Sequence, residues 1–234
     1  MEKKLQDFID EYTPYLDDLR LRLLDLAASF IVIFAASFLG AGYVIKLFVR
    51  LFNIKEVTIT VTSPFQYLDL AFDIGLFMAI VGTFPFALAH SYLFLRPALS
   101  KKEKTVFLYS VIFSIVLFIL GFIYGLVVLY GGLEVLASLN ESVGLTNIWD
   151  ISRFLSQMAV TASLLGLLFQ FPIVITSLIK FNITTIEWLR KKRAISYTLM
   201  LILVALLPPT DGLSLLIMTL PMMVLYEVTL VFNS

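Results

Sequence analysis

The sequence contains no cysteine and only one histidine, His90. The absence of cysteine excludes a disulfide-stapled secreted fold, thiolate metal sites and catalysis by a cysteine nucleophile. A single histidine argues against a multi-histidine metal site and against a serine–histidine–aspartate hydrolase. Glycine-rich phosphate loops and acids at metal-ligand spacing are also missing from the sequence. We therefore expect neither an enzyme nor a bound metal or cofactor.

Charged residues are scarce as well: they make up 15% of the 234 residues, whereas 60% of the residues are hydrophobic. A soluble domain is about 25% charged and about 45–50% apolar. A membrane-spanning helix needs about 20 mostly apolar residues. Four stretches free of charge reach that length, namely 26–45, 74–95, 105–133 and 154–179. The composition therefore predicts an integral membrane protein with at least four spans.

The apolar region at the C-terminus divides at a turn. Segments 194–210 and 212–226 are separated by Asp211, within a Pro-Pro-Thr-Asp-Gly sequence typical of turns. One interpretation is a single re-entrant hairpin. We favour two short helices, because residues 228–232 can lengthen the second and local thinning of the bilayer can accommodate the rest.

The predicted fold is one all-α membrane domain over residues 1–234 with six transmembrane helices, the last two short. The helices are predicted roughly over 24–48, 72–95, 105–133, 153–179, 194–209 and 212–230. The β-branched run 57–62, in the loop between the first two helices, favours an extended or a capping segment.

The basic residues are distributed unevenly between the two sides of the membrane, although the net charge is zero. Thirteen lie on the side of the N-terminus, and Lys46, Arg50, Lys55 and Arg153 lie opposite. The positive-inside rule then predicts that both termini are cytoplasmic.

Two acidic residues on the basic side are candidates for binding a cationic ligand. Asp18 lies in the amphipathic stretch 15–23 together with Arg20, and Glu103 is the one acid in the basic loop 96–104. A carboxylate can bind a guanidinium in paired geometry. The alternatives are a solvated interfacial helix for Asp18 and local pairing with a lysine for Glu103.

Three further polar residues have both structural and functional interpretations. Gln170 lies within the fourth span beside Pro172 and needs a polar partner, which is either another helix or a wet cavity. His90 is interpreted as a hydrogen-bonded helix contact. Asp211 is placed to cap the last helix, and Glu227 is either solvated or in contact with a neighbouring helix.

The order of these motifs resembles the TatC family, the multispanning subunit of the twin-arginine protein translocase. Segment 15–23 is similar to the family's His-Leu-x-Glu-Leu-Arg-x-Arg-Leu motif, with Asp18 in place of Glu. Segments 97–103, 170–172, 189–193, 208–211 and 225–227 are similar to further family motifs in the same order. In the fourth of these, the family's Thr-Pro-Pro-Asp turn is permuted to Pro-Pro-Thr-Asp.

The resemblance implies a cupped six-helix bundle in the cytoplasmic (inner) membrane, with both termini cytoplasmic. It also implies binding of twin-arginine signal peptides and export of folded proteins with TatA and TatB partners, driven by the proton-motive force. Self-association in a receptor complex is expected, and nucleic acid is not. The signal-peptide site would include Asp18, Arg20 and Glu103, with Gln170 on the concave face and Pro209 and Asp211 in a periplasmic turn.

Two other functions compete with this interpretation. A small-solute or ion transporter would need a central site with broken helices or buried charge, and only Gln170 approaches that description. A scaffold that merely assembles other membrane proteins is the third possibility.

Overall fold

The computed structural model describes residues 2–51, 58–60, 63–97, 99–146, 148–208 and 212–233. Helices dominate these residues, and two short strands accompany them. The elements in chain order are α1 (Glu2–Leu39), α2 (Ala41–Leu51), β1 (Thr58–Thr60), α3 (Gln66–Leu95), α4 (Lys101–Ser142), β2 (Ile148–Asp150), α5 (Ile151–Leu168), α6 (Phe171–Lys180), α7 (Ile186–Lys191), α8 (Arg193–Ala205) and α9 (Gly212–Phe232).

The helices confirm the predicted fold class, an all-α polytopic membrane protein. Five segments of the described chain are long and apolar enough to cross a membrane: Tyr15–Leu39, Gln66–Leu95, Phe107–Ser142, Ser152–Lys180 and Gly212–Phe232. The apolar helix α8 is shorter, with 13 residues. At 1.5 Å per residue it is about 20 Å long, whereas the hydrocarbon core is about 30 Å thick. Helix α9 continues past Glu227 to Phe232 and reaches 21 residues.

The first helix is continuous from Glu2 to Leu39, so the amphipathic stretch 15–23 and the first span belong to one helix. The predicted helix 24–48 is interrupted at Gly40, where the chain turns into α2. At this turn the Tyr43 amide donates to the Gly40 carbonyl at 3.0 Å, a spacing of three residues. Glycine lacks a β-carbon, which makes such a turn sterically easy.

The fourth span consists of two helices rather than the one predicted over 153–179. Helix α5 ends at Leu168 and α6 begins at Phe171. The Gln170 amide donates to the Leu167 carbonyl at 3.0 Å, and the Ile173 amide donates to the Gln170 carbonyl at 2.9 Å, both three residues apart. Pro172 has no amide hydrogen and cannot donate four residues back. Pro172 therefore removes a bond that a continuous helix would need here, and its position in the first turn suits the start of α6.

Helix α5 forms the centre of the bundle and packs against both α3 and α4. Leu155, Met158 and Leu165 are completely buried in this contact. A β-carbon at Gly125 of α4 would lie 2.8 Å from the Ala162 α-carbon, and one at Gly121 would lie 2.6 Å from the Phe169 ring. Small residues thus let the backbones of α4 and α5 approach closely, as is common between membrane helices.

A small parallel pair of strands joins two loops at the end of the bundle opposite the N-terminus. Strand β1 pairs with β2 in the register Thr58↔Ile148 to Thr60↔Asp150, which agrees with the extended segment predicted over 57–62. Asp150 also caps α5, since its carboxylate accepts from the Ser152 amide at 2.9 Å and the Arg153 amide at 3.2 Å. The same carboxylate accepts from the side-chain amide of Gln66 at the start of α3.

Candidate functional site

The two acidic candidates lie at one end of the bundle, here called the N-terminal end. It comprises residues 15–26 of α1, the α3–α4 connection, the α6–α8 connection and the end of α9. Three contacts lie at or near this end. Residues of α1 meet the last residues of α3, and Tyr92 of α3 contacts Phe107 of α4. Asn233, which follows α9, donates to Thr176 of α6 at 3.1 Å.

Asp18 forms an ion pair within α1. The Arg22 Nε donates to the Asp18 Oδ2 at 2.8 Å, one helical turn away. The Asp18 side chain is 46% exposed and that of Arg22 is 21% exposed. An exposed pair at this spacing contributes only about 0.3–0.5 kcal/mol to stability. A competing guanidinium from solution can therefore displace Arg22 at little cost.

The other two predicted site residues of this end are Arg20 of α1 and Glu103 of α4. Arg20 is exposed and two residues from Asp18, a spacing that places the two side chains on different faces of α1. Glu103 lies in the first turn of α4, at the same end of the bundle as Asp18. Its side chain is outside the part of the structure that is described.

Gln170 lies at the break between α5 and α6. Its side-chain oxygen accepts from the Ser114 hydroxyl of α4. Its side-chain nitrogen donates to the Ser114 carbonyl at 3.2 Å and to the Gly166 carbonyl at 3.3 Å. Ser114 is only 2% exposed. The amide is thus engaged between helices, in agreement with the structural interpretation of this residue.

Pro209 and Asp211, predicted for the turn between the last two helices, lie outside the described residues. The structure describes the chain up to Pro208 and again from Gly212. The cap predicted for Asp211 therefore stays a prediction.

Comparison with known proteins relates this arrangement to one family. The family model described as Sec-independent protein translocase protein (TatC) matches residues 14–221. The chain belongs to the TatC family. The resemblance drawn from the sequence motifs is thereby confirmed, and the chain is a multi-pass membrane component of the Sec-independent, twin-arginine protein translocase.

Individual TatC proteins are similar over nearly the whole chain. TatCy of Bacillus subtilis (strain 168) is 29% identical over 225 residues, covering 94% of this chain and 87% of the relative. TatC of Listeria innocua is also 29% identical, over 95% of this chain and 90% of the relative. A crystal structure of the twin arginine translocase receptor TatC in DDM has a TM-score of 0.82 and 26% identity, covering 94% of this chain and 99% of that one.

A polar cluster that the sequence motifs did not predict lies between α8 and α9, at the N-terminal end of this TatC bundle. Glu227 accepts from Arg193 at 2.8 Å and from the Tyr197 hydroxyl at 2.5 Å. The neighbouring Tyr226 hydroxyl is buried, donates to the Leu189 carbonyl at 2.9 Å and accepts from Ser196 at 3.1 Å. The available signal was the four-residue spacing of Arg193 and Tyr197, which puts both on one face of α8. The cluster answers the question left open for Glu227, which contacts a neighbouring helix.

Proposed function

We propose that this chain binds twin-arginine signal peptides at the N-terminal end of its bundle, through the carboxylates of Asp18 and Glu103. With single-span partners of the TatA and TatB type, it exports folded proteins across the cytoplasmic membrane. The energy comes from the proton-motive force, and the chain itself catalyses no covalent chemistry. Several copies associate in the receptor complex that holds the peptide.

The observation that carries this proposal is the Asp18–Arg22 pair. Asp18 already accepts a guanidinium N–H at 2.8 Å, yet its side chain is 46% exposed and within reach of a ligand. The guanidinium is a planar fork that can bond both oxygens of a carboxylate, whereas a lysine ammonium is a point donor. Two carboxylates at one end of the bundle therefore favour a peptide with two arginines over one with two lysines.

The basic residues support a cytoplasmic position for this end. Thirteen of the seventeen lysines and arginines lie in the sequence segments predicted for the side of the N-terminus, and four lie in the segments predicted for the opposite side. The absence of cysteine makes the orientation easy to test. The single cysteine of Ser100→Cys is expected to react with a membrane-impermeant maleimide only after the cytoplasmic membrane has been broken. The single cysteine of Ser142→Cys is expected to react while the cytoplasmic membrane is intact, in cells whose outer envelope has been made permeable to the reagent. The reverse pattern would refute the orientation.

Solute transport, the competing function, receives no support from Gln170. That function needed a polar group available at a central site, and the Gln170 amide is bonded to Ser114 and Gly166. A role in positioning α4 against the broken fourth span accounts for those bonds.

The signal-peptide site is tested by binding measurements on the full chain in lipid nanodiscs. A fluorescent peptide with an arginine pair is compared with its Lys-Lys counterpart. We expect tighter binding of the arginine peptide, and a loss of about ten- to a hundredfold in Asp18→Asn and in Glu103→Gln, since hydrogen bonds to charged groups contribute about 1.5–3 kcal/mol.

Asp17→Asn is the matched control, because it removes an exposed neighbouring carboxylate. It is expected to bind the arginine peptide as the unaltered chain does. Undiminished binding by the Asp18→Asn/Glu103→Gln double variant would refute the proposed site.

A further inference from the structure

The connection between α6 and α8 carries a dense group of basic residues. Five of the fourteen residues from 180 to 193 are lysine or arginine. Arg193 is already paired with an acid of α9. Lys180, Lys191 and Lys192 are exposed, and they form no ion pair with any residue that the structure describes. These three ammonium groups are therefore available to an anionic ligand.

Helix α7, within this connection, turns one side outward. Leu189 is buried, and its carbonyl accepts from the Tyr226 hydroxyl of α9 at 2.9 Å, which fixes the inner side of the helix. Trp188 is 54% exposed. Lys191 and Lys192 follow Trp188 by three and four residues, a spacing that places the three side chains on one side of the helix. We call the surface formed by Trp188, Lys191 and Lys192 the α7 face.

Large apolar side chains accompany these lysines, although the connection lies outside the apolar spans. Phe181 and Ile183, in the turn before α7, are 51% and 69% exposed. The backbone of this turn is bonded to the end of α6, since the amides of Asn182 and Ile183 donate to the Ile179 and Leu178 carbonyls at 3.0 Å each. Tryptophan is enriched at the level of the lipid headgroups, and exposed apolar side chains next to lysines are typical of a segment that lies on a membrane surface.

The composition of the α7 face favours a lipid over a protein partner. Lysine is depleted at protein–protein interfaces, whereas basic clusters on the cytoplasmic side of membrane helices bind anionic headgroups. A lysine also binds a phosphate as a point charge, without a fixed geometry. Glu187 is the one acid between residues 180 and 193, so the connection keeps an excess of positive charge. Charge complementarity therefore favours a lipid that carries a phosphate and a net negative charge.

We propose that the α7 face binds an anionic phospholipid. Lys191 and Lys192 bind its phosphate, and the Trp188 indole lies at the level of its headgroup. Because Leu189 joins the same helix to α9 through Tyr226, the bound lipid also stabilises the contact between α7 and α9. This inference concerns a different part of the chain from the proposed signal-peptide site and does not depend on it.

Trp188 itself can report on the lipid beside it. The chain has two tryptophans, so Trp149→Phe leaves Trp188 as the single indole. The full chain with this substitution is placed in phosphatidylcholine vesicles that contain brominated phosphatidylglycerol or brominated phosphatidylcholine, since bromine quenches an indole on contact. We expect phosphatidylglycerol to bind about fivefold more tightly, which is the gain from one lysine near an anionic surface. The preference should weaken in about 1 M salt.

The lysines are tested by substitution in the same reporter chain. Lys191→Gln/Lys192→Gln is expected to abolish the preference for phosphatidylglycerol. Lys101→Gln/Lys102→Gln is the matched control, because it removes two charges from the first turn of α4 instead, and it should keep the preference. A preference that persists in Lys191→Gln/Lys192→Gln would overturn the inference, and so would equal quenching by the two brominated lipids.

Two further outcomes would also overturn it. Absence of quenching by both lipids would show that protein covers Trp188, and loss of the preference on addition of glycerol phosphate would assign the lysines to a soluble phosphate. A second measurement does not need the reporter substitution. Phosphatidylglycerol added to the chain in detergent should raise the melting temperature of the unaltered chain but not that of Lys191→Gln/Lys192→Gln, because a ligand stabilises the state that binds it. An equal rise in both chains would contradict the proposed site.

Discussion

The first and fourth spans differ in how much of each is covered by protein. In the most apolar part of the first span, Tyr15–Leu39, none of the residues is buried by the rest of the protein. In the most apolar part of the fourth span, Ser152–Lys180, 56% of the residues are buried. Helix α1 packs along its length on α3, with Phe34 against Gly75 for example, but has little other cover, whereas α5 lies between α3 and α4. Under the proposed function this difference separates two tasks: the central helix holds the bundle together, and the peripheral helix presents polar groups to the signal peptide. Substitutions should then affect stability at the centre and binding at the periphery.

The largest effect on stability is expected at the close approach of α4 and α5. A β-carbon in Gly125→Ala would lie 2.8 Å from the Ala162 α-carbon, a backbone atom that cannot move aside. We expect a loss of about 1–3 kcal/mol, which corresponds to about 2–4 °C in apparent melting temperature for each kcal/mol. The control is Gly131→Ala in the same helix, where nothing described lies within 4 Å of the new atom. Equal melting temperatures for the two variants would contradict the close packing.

A smaller loss is expected when the buried hydroxyl of Tyr226 is removed. Tyr226→Phe leaves the Leu189 carbonyl and the Ser196 hydroxyl without this partner, at a cost of about 1–2 kcal/mol. Tyr43→Phe serves as the comparison, since Tyr43 is 83% exposed. Thermal unfolding in detergent measures both, and a melting temperature of Tyr226→Phe as high as that of Tyr43→Phe would argue against the network.

The bond between Gln170 and Ser114 should be weaker still. Hydrogen bonds between membrane helices contribute about 0.6 kcal/mol on average. We expect a coupling of about that size between Gln170→Leu and Ser114→Ala in a double-mutant cycle of unfolding. Strict additivity of the two substitutions would show that the amide does not join α4 to the broken span.

The smallest effect on stability is expected at the periphery. Asp18→Asn removes an exposed pair that contributes about 0.3–0.5 kcal/mol, so its melting temperature should stay within about 2 °C of that of the unaltered chain. Peptide binding by the same variant should nevertheless fall. A large loss of thermal stability in Asp18→Asn would contradict the proposal that α1 serves binding and α5 serves stability.

Much of this fold could be predicted because charge-free runs report directly on membrane crossing. The β-branched run 57–62 likewise indicated β1, and a proline such as Pro172 favours a bend or a break in its helix. The interruption at Gly40 was missed, because the apolar run continues across it and one glycine is compatible with a helix. The length of a charge-free run also does not indicate which faces of the helices contact each other.

The candidate site was predictable only as a set of residue types. Asp18 and Glu103 could be singled out because they are acids among bases. The groove that Leu19 and Leu23 of α1 form with Phe94 of α3 could not be foreseen, since it depends on which faces of the two helices meet. The contacts of Glu227 with Arg193 and Tyr197 were hidden for the same reason, because they join residues at least 30 positions apart in sequence.

The pairing of β1 with β2 has a consequence for how the chain is made. Its partners are about 90 residues apart, and α3 and α4 lie between them. Synthesis proceeds at roughly 5–20 residues per second, so about 5–20 s pass between the synthesis of β1 and that of β2. We therefore expect the helices made first to enter the bilayer before β1 has its partner strand. The synthesis of β2, with the Asp150 carboxylate that binds Gln66, is then expected to complete that end of the bundle.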